Sequence, residues 1–480
     1  MIQKYRSRVQ NEKYMRKIDY RHIMAVLLLC MPMVLQAQVY SLDSCVSMAL
    51  KSNKEMKAAQ HKVSQYQYTS KSLYANFFPN ISGLANEAYG TFSVSKTVDI
   101  ATPLGQYMSG LLQNILPDGG AAMSQQMMGS ADALNPRISM KMKNFFMAGV
   151  MLEQPIYMGG KIKTGYQMGK LGVQMAQLGK QLSREEVVVS VYEGYQQLVK
   201  AKEMRVVALK YDSLLIQLTK EVNGAVRHGL ASRNDELKVL VKKNDAELKI
   251  RQAENGIRLA KMNLCQLMGL PLHTDVDVEE DVDTAFVALV DNDAQVDGRV
   301  EAQILQLKTQ LAEQKVKLER SNYLPQLGLM VHAGMLDGME LMGNKMFKDK
   351  LNFVAGVVLK VPLFHAWEGR NKVAAAKEEL EQERLMQADL LDKMNLELQQ
   401  KANLVDEAVL ELMLRKRNLE QCQENLRVSQ GNYSVGFETL SDLLTAQMLW
   451  QQAYSELVES EYQVKTKMMQ WRKAAGRIDL

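Results

Sequence analysis

The chain has 480 residues, of which 6% are aromatic, and a formal net charge of +5. The first 37 residues account for that charge, because they hold seven basic and two acidic side chains, whereas the remaining residues hold 52 of each. This balance excludes a basic surface for nucleic acid. The abundance of Leu, Met, Ala, Gln, Glu and Lys is typical of long helices.

The chain opens with a basic segment, a short apolar run from Ile23 to Leu35, and the small residue Ala37. This pattern predicts a secretory signal peptide over residues 1–37, cleaved after Ala37. A membrane anchor is the alternative, but the run is short and Pro32 interrupts it. Cleavage leaves three cysteines at scattered spacings, which indicate no disulfide framework. They are Cys45, Cys265 and Cys422.

The first part of the mature chain predicts a helix followed by a β-hairpin. A capped helix is expected from Ser41 to about Tyr74, and Pro79 ends its pattern. A strand is expected over about 80–95, and a loop rich in Pro, Gly, Ser and Gln over 100–137. Apolar residues then alternate, which predicts the second strand of a hairpin at about 80–157.

A much longer helix is predicted at about 369–432, where the sequence has no proline and only one glycine after Gly369, Gly431. Leu or Val recurs at every seventh position from Leu391 to Leu426, the spacing of a helix that packs lengthwise on other helices. At 1.5 Å per residue such a helix reaches roughly 95 Å. The sequence therefore predicts a coiled coil or the wall of an elongated structure.

The sequence contains this pattern twice. A shift of 207 positions places Pro155 on Pro362 and Gly229 on Gly436, and a shift of 246 positions places Pro79 on Pro325. The mature chain therefore divides into two repeats joined by a linker. The first repeat is expected at 38–270, with a hairpin at about 80–157, a long helix at about 161–227 and a return helix at about 233–268. An acidic linker is expected at 271–297. The second repeat is expected at 298–480, with a hairpin at about 325–363, a long helix at about 369–432 and a return helix at about 439–475.

The predicted strands carry apolar residues on one face and small or polar residues on the other. In the second hairpin Phe353, Val357 and Leu359 alternate with Asn352 and Lys360. This pattern is typical of a transmembrane barrel wall and also of a half-buried sheet in a soluble protein. The smallest membrane barrels have about eight strands, so four strands in a membrane require several chains to share one barrel.

Taken together, several motifs resemble the TolC family of outer-membrane efflux channels over about residues 42–476. They are Asn76-Phe77-Phe78-Pro79 and Asn322-Tyr323-Leu324-Pro325, the strand ends Gln154 to Gly160 and Val361 to Phe364, and the helix reversals Arg227 to Ser232 and Tyr433 to Gln447. The resemblance implies a mainly α fold with a membrane β-hairpin pair. It also implies a homotrimer with a 12-stranded barrel, a 12-helix periplasmic tunnel and an equatorial belt that includes the linker.

The same resemblance implies that the protein is a channel, not an enzyme, and that it needs no cofactor. It implies passive export of small molecules across the outer membrane, handed over by an inner-membrane pump through a periplasmic adaptor (membrane fusion) protein. A type I secretion conduit for polypeptides is one alternative. An exported structural coiled-coil protein without a pore is another.

The resemblance also assigns roles to single residues. Asp442 and Tyr433 are expected at the periplasmic gate, where Asp442 could instead complement a helix dipole, and Glu438 departs from the family pattern. Adaptor docking is expected at the tips, at Gly229, Leu230, Ser232, Gly436, Phe437 and Thr439. The expected strand-to-helix bends involve Pro79, Pro155, Gly159, Gly160, Pro325 and Pro362.

Methionine concentrates in both expected hairpin loops, in the second case beside His332. Thioethers are soft ligands for Cu(I), so metal export is one hypothesis. General methionine usage is the alternative, because the long helices also carry methionine, as at Met168 and Met394.

Overall fold

The computed structural model describes residues 38–97, 137–279, 296–341, 344–346 and 351–478. The expected signal peptide, most of the first hairpin loop and much of the acidic linker lie outside the described residues. The helices are α1 (Leu42–Ser52), α2 (Lys54–Ala75), α3 (Lys161–Arg227), α4 (Arg233–Met268), α5 (Val300–Ser321), α6 (Glu368–Ser434) and α7 (Leu440–Ala474). The strands are β1 (Gln38–Tyr40), β2 (Asn80–Thr97), β3 (Arg137–Met158), β4 (Val276–Val278), β5 (Gln326–Leu341), β6 (Asn344–Met346) and β7 (Asn352–Lys360).

The chain forms two compact units, each built from segments of both repeats. One unit comprises Met1–Ala58, Gln181–Arg299 and Met394–Leu480, and the other comprises Ala59–Lys180 and Val300–Lys393. The first is referred to below as the helical unit and the second as the sheet unit. Two helices, α3 and α6, have 67 residues each and contribute to both units. The predicted pair of long helices is confirmed, and each is followed by a shorter helix, α4 with 36 residues and α7 with 35.

The sheet unit contains one antiparallel sheet. The strand order is β2-β3-β5-β7, with the short β6 also paired to β5. Each repeat thus supplies one hairpin, and β3 and β5 join the two hairpins. The predicted two hairpins are confirmed.

The pairing register places apolar residues on one face of this sheet. Phe353 lies opposite Ala333, and Val357 opposite Leu329, whereas the alternate positions pair Asn352 with Gly334. Five apolar side chains of this face are largely exposed. They are Ile81, Val150, Phe353, Val357 and Leu359. The sheet unit therefore presents an apolar surface that the described part of the chain does not cover.

The helical unit contains two separate buried cores. One joins α1, α3 and α4 around Tyr192, Leu264 and Met268, and the strands β1 and β4 pair beside it in parallel. The other joins the ends of α3, α4, α6 and α7 around Leu215 and Leu443. This second core, the tip core, fixes the two helix reversals relative to each other.

The predicted first helix is interrupted in the structure. Residue Asn53 ends α1 in an extended conformation, with ψ of 138°, and α2 begins at the next residue. Its side-chain amide donates to the Leu267 carbonyl at 2.8 Å, and its side-chain oxygen accepts from the Glu55 amide at 2.7 Å. Helical spacing could not reveal this break, because its cause is a partner 214 residues away.

A close approach of two strands requires glycine at paired positions. Gly149 of β3 lies opposite Gly334 of β5. A Cβ added at Gly334 would lie 2.4 Å from the Ala148 carbonyl oxygen, and one added at Gly149 would lie 2.7 Å from the Ala333 carbonyl oxygen. These obstacles are backbone atoms, which cannot move without shifting a strand.

We expect Gly334→Ala to destabilise the sheet by about 1–3 kcal/mol, the usual cost of overpacking. Gly83→Ala is the matched control, because a Cβ there meets nothing within 4 Å. Thermal unfolding of both variants measures the effect. Equal unfolding midpoints would contradict the close approach.

Candidate functional site at the helix tips

The first tip is the reversal between α3 and α4. Gly229 has a φ of 73°, a left-handed conformation that glycine adopts without steric cost. The Leu230 amide donates to the Ala225 carbonyl at 2.8 Å, and the Gly229 amide donates to Val226 at 3.1 Å. This pair of bonds is a Schellman motif, which satisfies the last carbonyls of α3.

The second tip repeats the same geometry 207 positions later, between α6 and α7. Gly436 has a φ of 81°. The Phe437 amide donates to Asn432 at 2.8 Å, and the Gly436 amide donates to Tyr433 at 3.1 Å. Both repeats therefore end their long helix by the same backbone hydrogen bonds.

Each return helix begins with a capping box. The Thr439 hydroxyl donates to Oδ2 of Asp442 at 2.6 Å and accepts from the Asp442 amide at 3.3 Å, while the Thr439 amide donates to the same carboxylate oxygen at 3.1 Å. Ser232 and Asp235 form the same three bonds, at 2.7, 3.2 and 3.2 Å. The two carboxylates thus satisfy helix-end donors.

The two capping carboxylates differ in their charge partners. Oδ1 of Asp235 lies 3.3 Å from Nζ of Lys238, which also donates to Ser441 on the other tip. Among the ion pairs of the described residues, Asp442 has no basic partner. Its pKa lies below the ordinary value because the Thr439 hydroxyl and amide donate to it. Asp442 is therefore a capped but uncompensated negative charge.

Tyr433 lies half-buried against the tip core. Its pKa is raised, first by burial and then by the nearby charges of Glu221 and Asp235. It therefore remains a neutral phenol that can donate a hydrogen bond at neutral pH.

Glu438 helps to fix the second tip, a role that sequence reasoning missed. Its carboxylate accepts from the Asn432 side chain at 3.0 Å and from the Ser429 hydroxyl. The first repeat has Ala231 at the equivalent position. The only sequence signal was that Glu438 departs from the family pattern.

Each tip exposes a large apolar side chain. Leu230 is 83% exposed and Phe437 is 85% exposed. The two positions are equivalent under the shift of 207. Together with the two glycines and two caps, they form a doubled surface on rigid turns.

The expected bend residues fall at two kinds of position. Pro79 and Pro325 directly precede β2 and β5. Pro155 lies within β3, at an irregularity in its pairing, and the chain turns beyond it at Gly159 and Gly160, with φ of 63° and 87°. Pro362 follows β7, and the turn beyond it involves residues 366 and 367.

Comparison with protein families gives one match. Residues 302–477 match the family model described as outer membrane efflux protein. This match lies in the second repeat and covers less than half of the chain. It confirms the resemblance drawn from the sequence. A comparison with curated protein sequences found no match.

Solved structures of outer-membrane channels share the fold over most of the chain. The CmeC outer membrane channel of Campylobacter jejuni is 16% identical, with a TM-score of 0.67 over 91% of this chain and 87% of that one. VceC of Vibrio cholerae is 13% identical, with a TM-score of 0.68 over 91% and 96%. The MtrE channel of Neisseria gonorrhoeae is 13% identical, with a TM-score of 0.65 over 91% and 88%.

Neither a metal-binding cluster nor a membrane-spanning helix occurs in the described residues. The described residues contain no group of three or more His, Cys, Asp or Glu side chains that could hold a metal ion. Much of the methionine-rich first loop lies outside the described residues, so the copper hypothesis stays a hypothesis. No helix in the described ranges has an apolar stretch able to cross a bilayer. Cys45, Cys265 and Cys422 are free thiols.

We expect acid to loosen the second tip through Asp442. Because its folded pKa is lowered, the carboxylate stabilises the tip above its unfolded pKa, and this contribution disappears as the pH falls through the folded pKa. Asp442→Asn should lack this contribution at neutral pH and show a flatter acid response.

Hydrogen exchange of the first-turn amides of α7, corrected for intrinsic pH effects, measures this loosening. Asp406→Asn is the control, because Asp406 is exposed and lies on α6 away from the caps. An Asp442→Asn profile that matches wild type at every pH would contradict a role in the cap.

Proposed function

We propose that the protein is the outer-membrane channel of a tripartite export system and passively conducts small molecules to the outside. Candidate substrates are drugs, toxic compounds or metal ions. A periplasmic adaptor would contact the helix tips, and an inner-membrane pump would supply the driving force. The observation that carries the proposal is the doubled unit of hairpin, long helix and return helix, together with the family match of the second repeat.

The sheet topology supports a homotrimer. The outer strands β2 and β7 each have one side without a partner strand among the described residues. Unpaired backbone groups in lipid cost several kcal/mol each, so these edges need strands from other copies. Three copies supply twelve strands, above the roughly eight that the smallest membrane barrels contain.

An apolar stripe on α4 also supports assembly. Leu237, Val241, Leu248 and Leu259 are exposed and lie within one narrow sector of the helix, opposite the buried Ala246. Spacings of four, seven and eleven residues are those of a lengthwise helix contact. We infer that this stripe packs against a neighbouring copy in the helical tunnel.

We expect Leu248→Lys to weaken the trimer, because it places an ammonium group in this stripe. Glu247→Lys introduces the same side chain at the adjacent exposed position, outside the stripe, and should leave assembly intact. Crosslinking and mass measurement in detergent report the oligomeric state. Trimers of equal stability in both variants would remove the proposed contact.

The tips support a role as the adaptor-docking end and as the channel entrance. Leu230 and Phe437 are exposed apolar side chains on fixed turns, which suits them to a partner contact. Asp442 carries an uncompensated charge, whereas Asp235 is paired with Lys238. Three copies of Asp442 around a narrow entrance would attract cations. Tyr433 would donate its phenol hydroxyl to hold the closed state.

Conductance in planar lipid bilayers tests both the channel and the entrance. Wild type should open ion-conducting pores that prefer cations, and Asp442→Asn should lower that preference. Asp235→Asn removes the equivalent cap on α4, but the charge that it removes is paired with Lys238, so its effect on cation preference should be smaller. A chain that never conducts would overturn the channel, and equal selectivity of all three proteins would overturn only the role of Asp442.

A further inference from the structure

The junction between β7 and α6 has two residues with side chains in a left-handed backbone conformation. Ala366 has a φ of 42° and Trp367 a φ of 64°. They are the only non-glycine residues with positive φ in the described ranges. Under the shift of 207 they correspond to Gly159 and Gly160, whose φ values are 63° and 87°. The second repeat therefore keeps the turn but replaces both glycines.

This replacement has a steric cost. A side chain in this conformation brings Cβ too close to the following carbonyl oxygen, and such residues persist where the surroundings or function hold them. At Gly160 an added Cβ would meet nothing within 4 Å, so the position faces open space. At the equivalent position the second repeat projects an indole, which is 70% exposed.

Neighbouring side chains extend this exposed apolar surface. Leu363 is 91% exposed and Phe364 is 78% exposed, and the rings of Phe364 and Trp367 meet edge to face at 6.4 Å. His365, which is also exposed, meets the Tyr323 ring at 6.1 Å, and that ring would block a Cβ at Gly369. The turn is thus held by Tyr323 and presents Leu363, Phe364 and Trp367 to the surroundings.

We propose that Leu363, Phe364 and Trp367 form an anchor that inserts into the membrane–water interface, with phospholipid as its partner. This inference rests on the proposed outer-membrane channel. Phospholipid is the chosen occupant because the anchor continues the exposed apolar face of β7, through Phe353, Val357, Leu359 and Val361.

The length of that face and its ending agree with an interface. The strand β7 has 9 residues, which extend about 30 Å, or on the order of 23 Å along the membrane normal at a typical strand tilt. That matches the apolar band of about 25 Å in membrane barrels. Directly after Trp367 the chain becomes charged, with Glu368 and Lys372 paired at 2.6 Å. Trp favours this boundary because its ring is apolar and its N–H can reach water.

Fluorescence quenching by brominated phospholipid tests the anchor in the full mature chain. The protein is reconstituted in phosphatidylcholine vesicles with bromine either near the headgroup end or near the methyl end of the acyl chains. We expect the brominated lipid to quench part of the Trp emission of the wild-type protein, and to quench more when bromine lies near the headgroup end. In Trp367→Phe this lipid-quenched part of the emission should be absent. Trp450→Phe should retain it, because Trp450 packs against the tip core.

Ala366→Gly is a second control, because it relieves backbone strain beside Trp367 without removing the indole. It should keep the lipid-quenchable emission and unfold at a higher temperature. If Trp367 is quenched only by aqueous acrylamide, the anchor faces water; if neither agent reaches it, a neighbouring copy covers it. Either result overturns the anchor. A protein that conducts ions but shows no quenching by lipid would contradict the anchor alone. A protein that fails to enter vesicles would contradict the proposed channel as well.

Discussion

The outer strands β2 and β7 each present a row of backbone N–H and C=O groups that no other described strand satisfies. The sheet between them exposes its large apolar side chains. In water these features would favour aggregation, and in lipid an open edge has no solvent to satisfy it. The described part of one copy therefore leaves both sheet edges and this apolar face without a partner. The proposed trimer, channel and lipid anchor all follow from this sheet, since each supplies a partner for it.

The two repeats form their helix reversals with the same local structure, so the positions at which the repeats differ are informative. The reversals share their glycines, their Schellman bonds and their capping boxes. The shared fold does not account for the residues that differ between the two repeats, so each of these residues needs its own structural or functional explanation. Glu438 adds a tether to one tip only, Lys238 neutralises only the first capping carboxylate, and Trp367 replaces a glycine in only one turn.

Much of the architecture could be predicted from the sequence because local motifs and periodic patterns of apolar residues determine it. Heptad spacing, alternation and the doubled Pro and Gly positions predicted the hairpins and long helices. The break at Asn53 could not be predicted, since its cause is a hydrogen bond to Leu267. The Gly149 and Gly334 contact likewise depends on strand register between the repeats. The difference between the two tips could not be predicted either, because it depends on Lys238, which pairs with Asp235, whereas Asp442 has no basic partner among the described residues.

The capping box also limits how a gate at Asp442 can operate. Oδ2 already accepts from the Thr439 hydroxyl and amide, so a partner from another copy can use Oδ1 without breaking the cap. A partner that took Oδ2 would leave the first donors of α7 unsatisfied and fray the helix. The Schellman bonds and the Glu438 tether oppose local melting of the same turn. The proposed entrance would therefore open by movement of whole helix pairs, because each tip is fixed by its own hydrogen bonds.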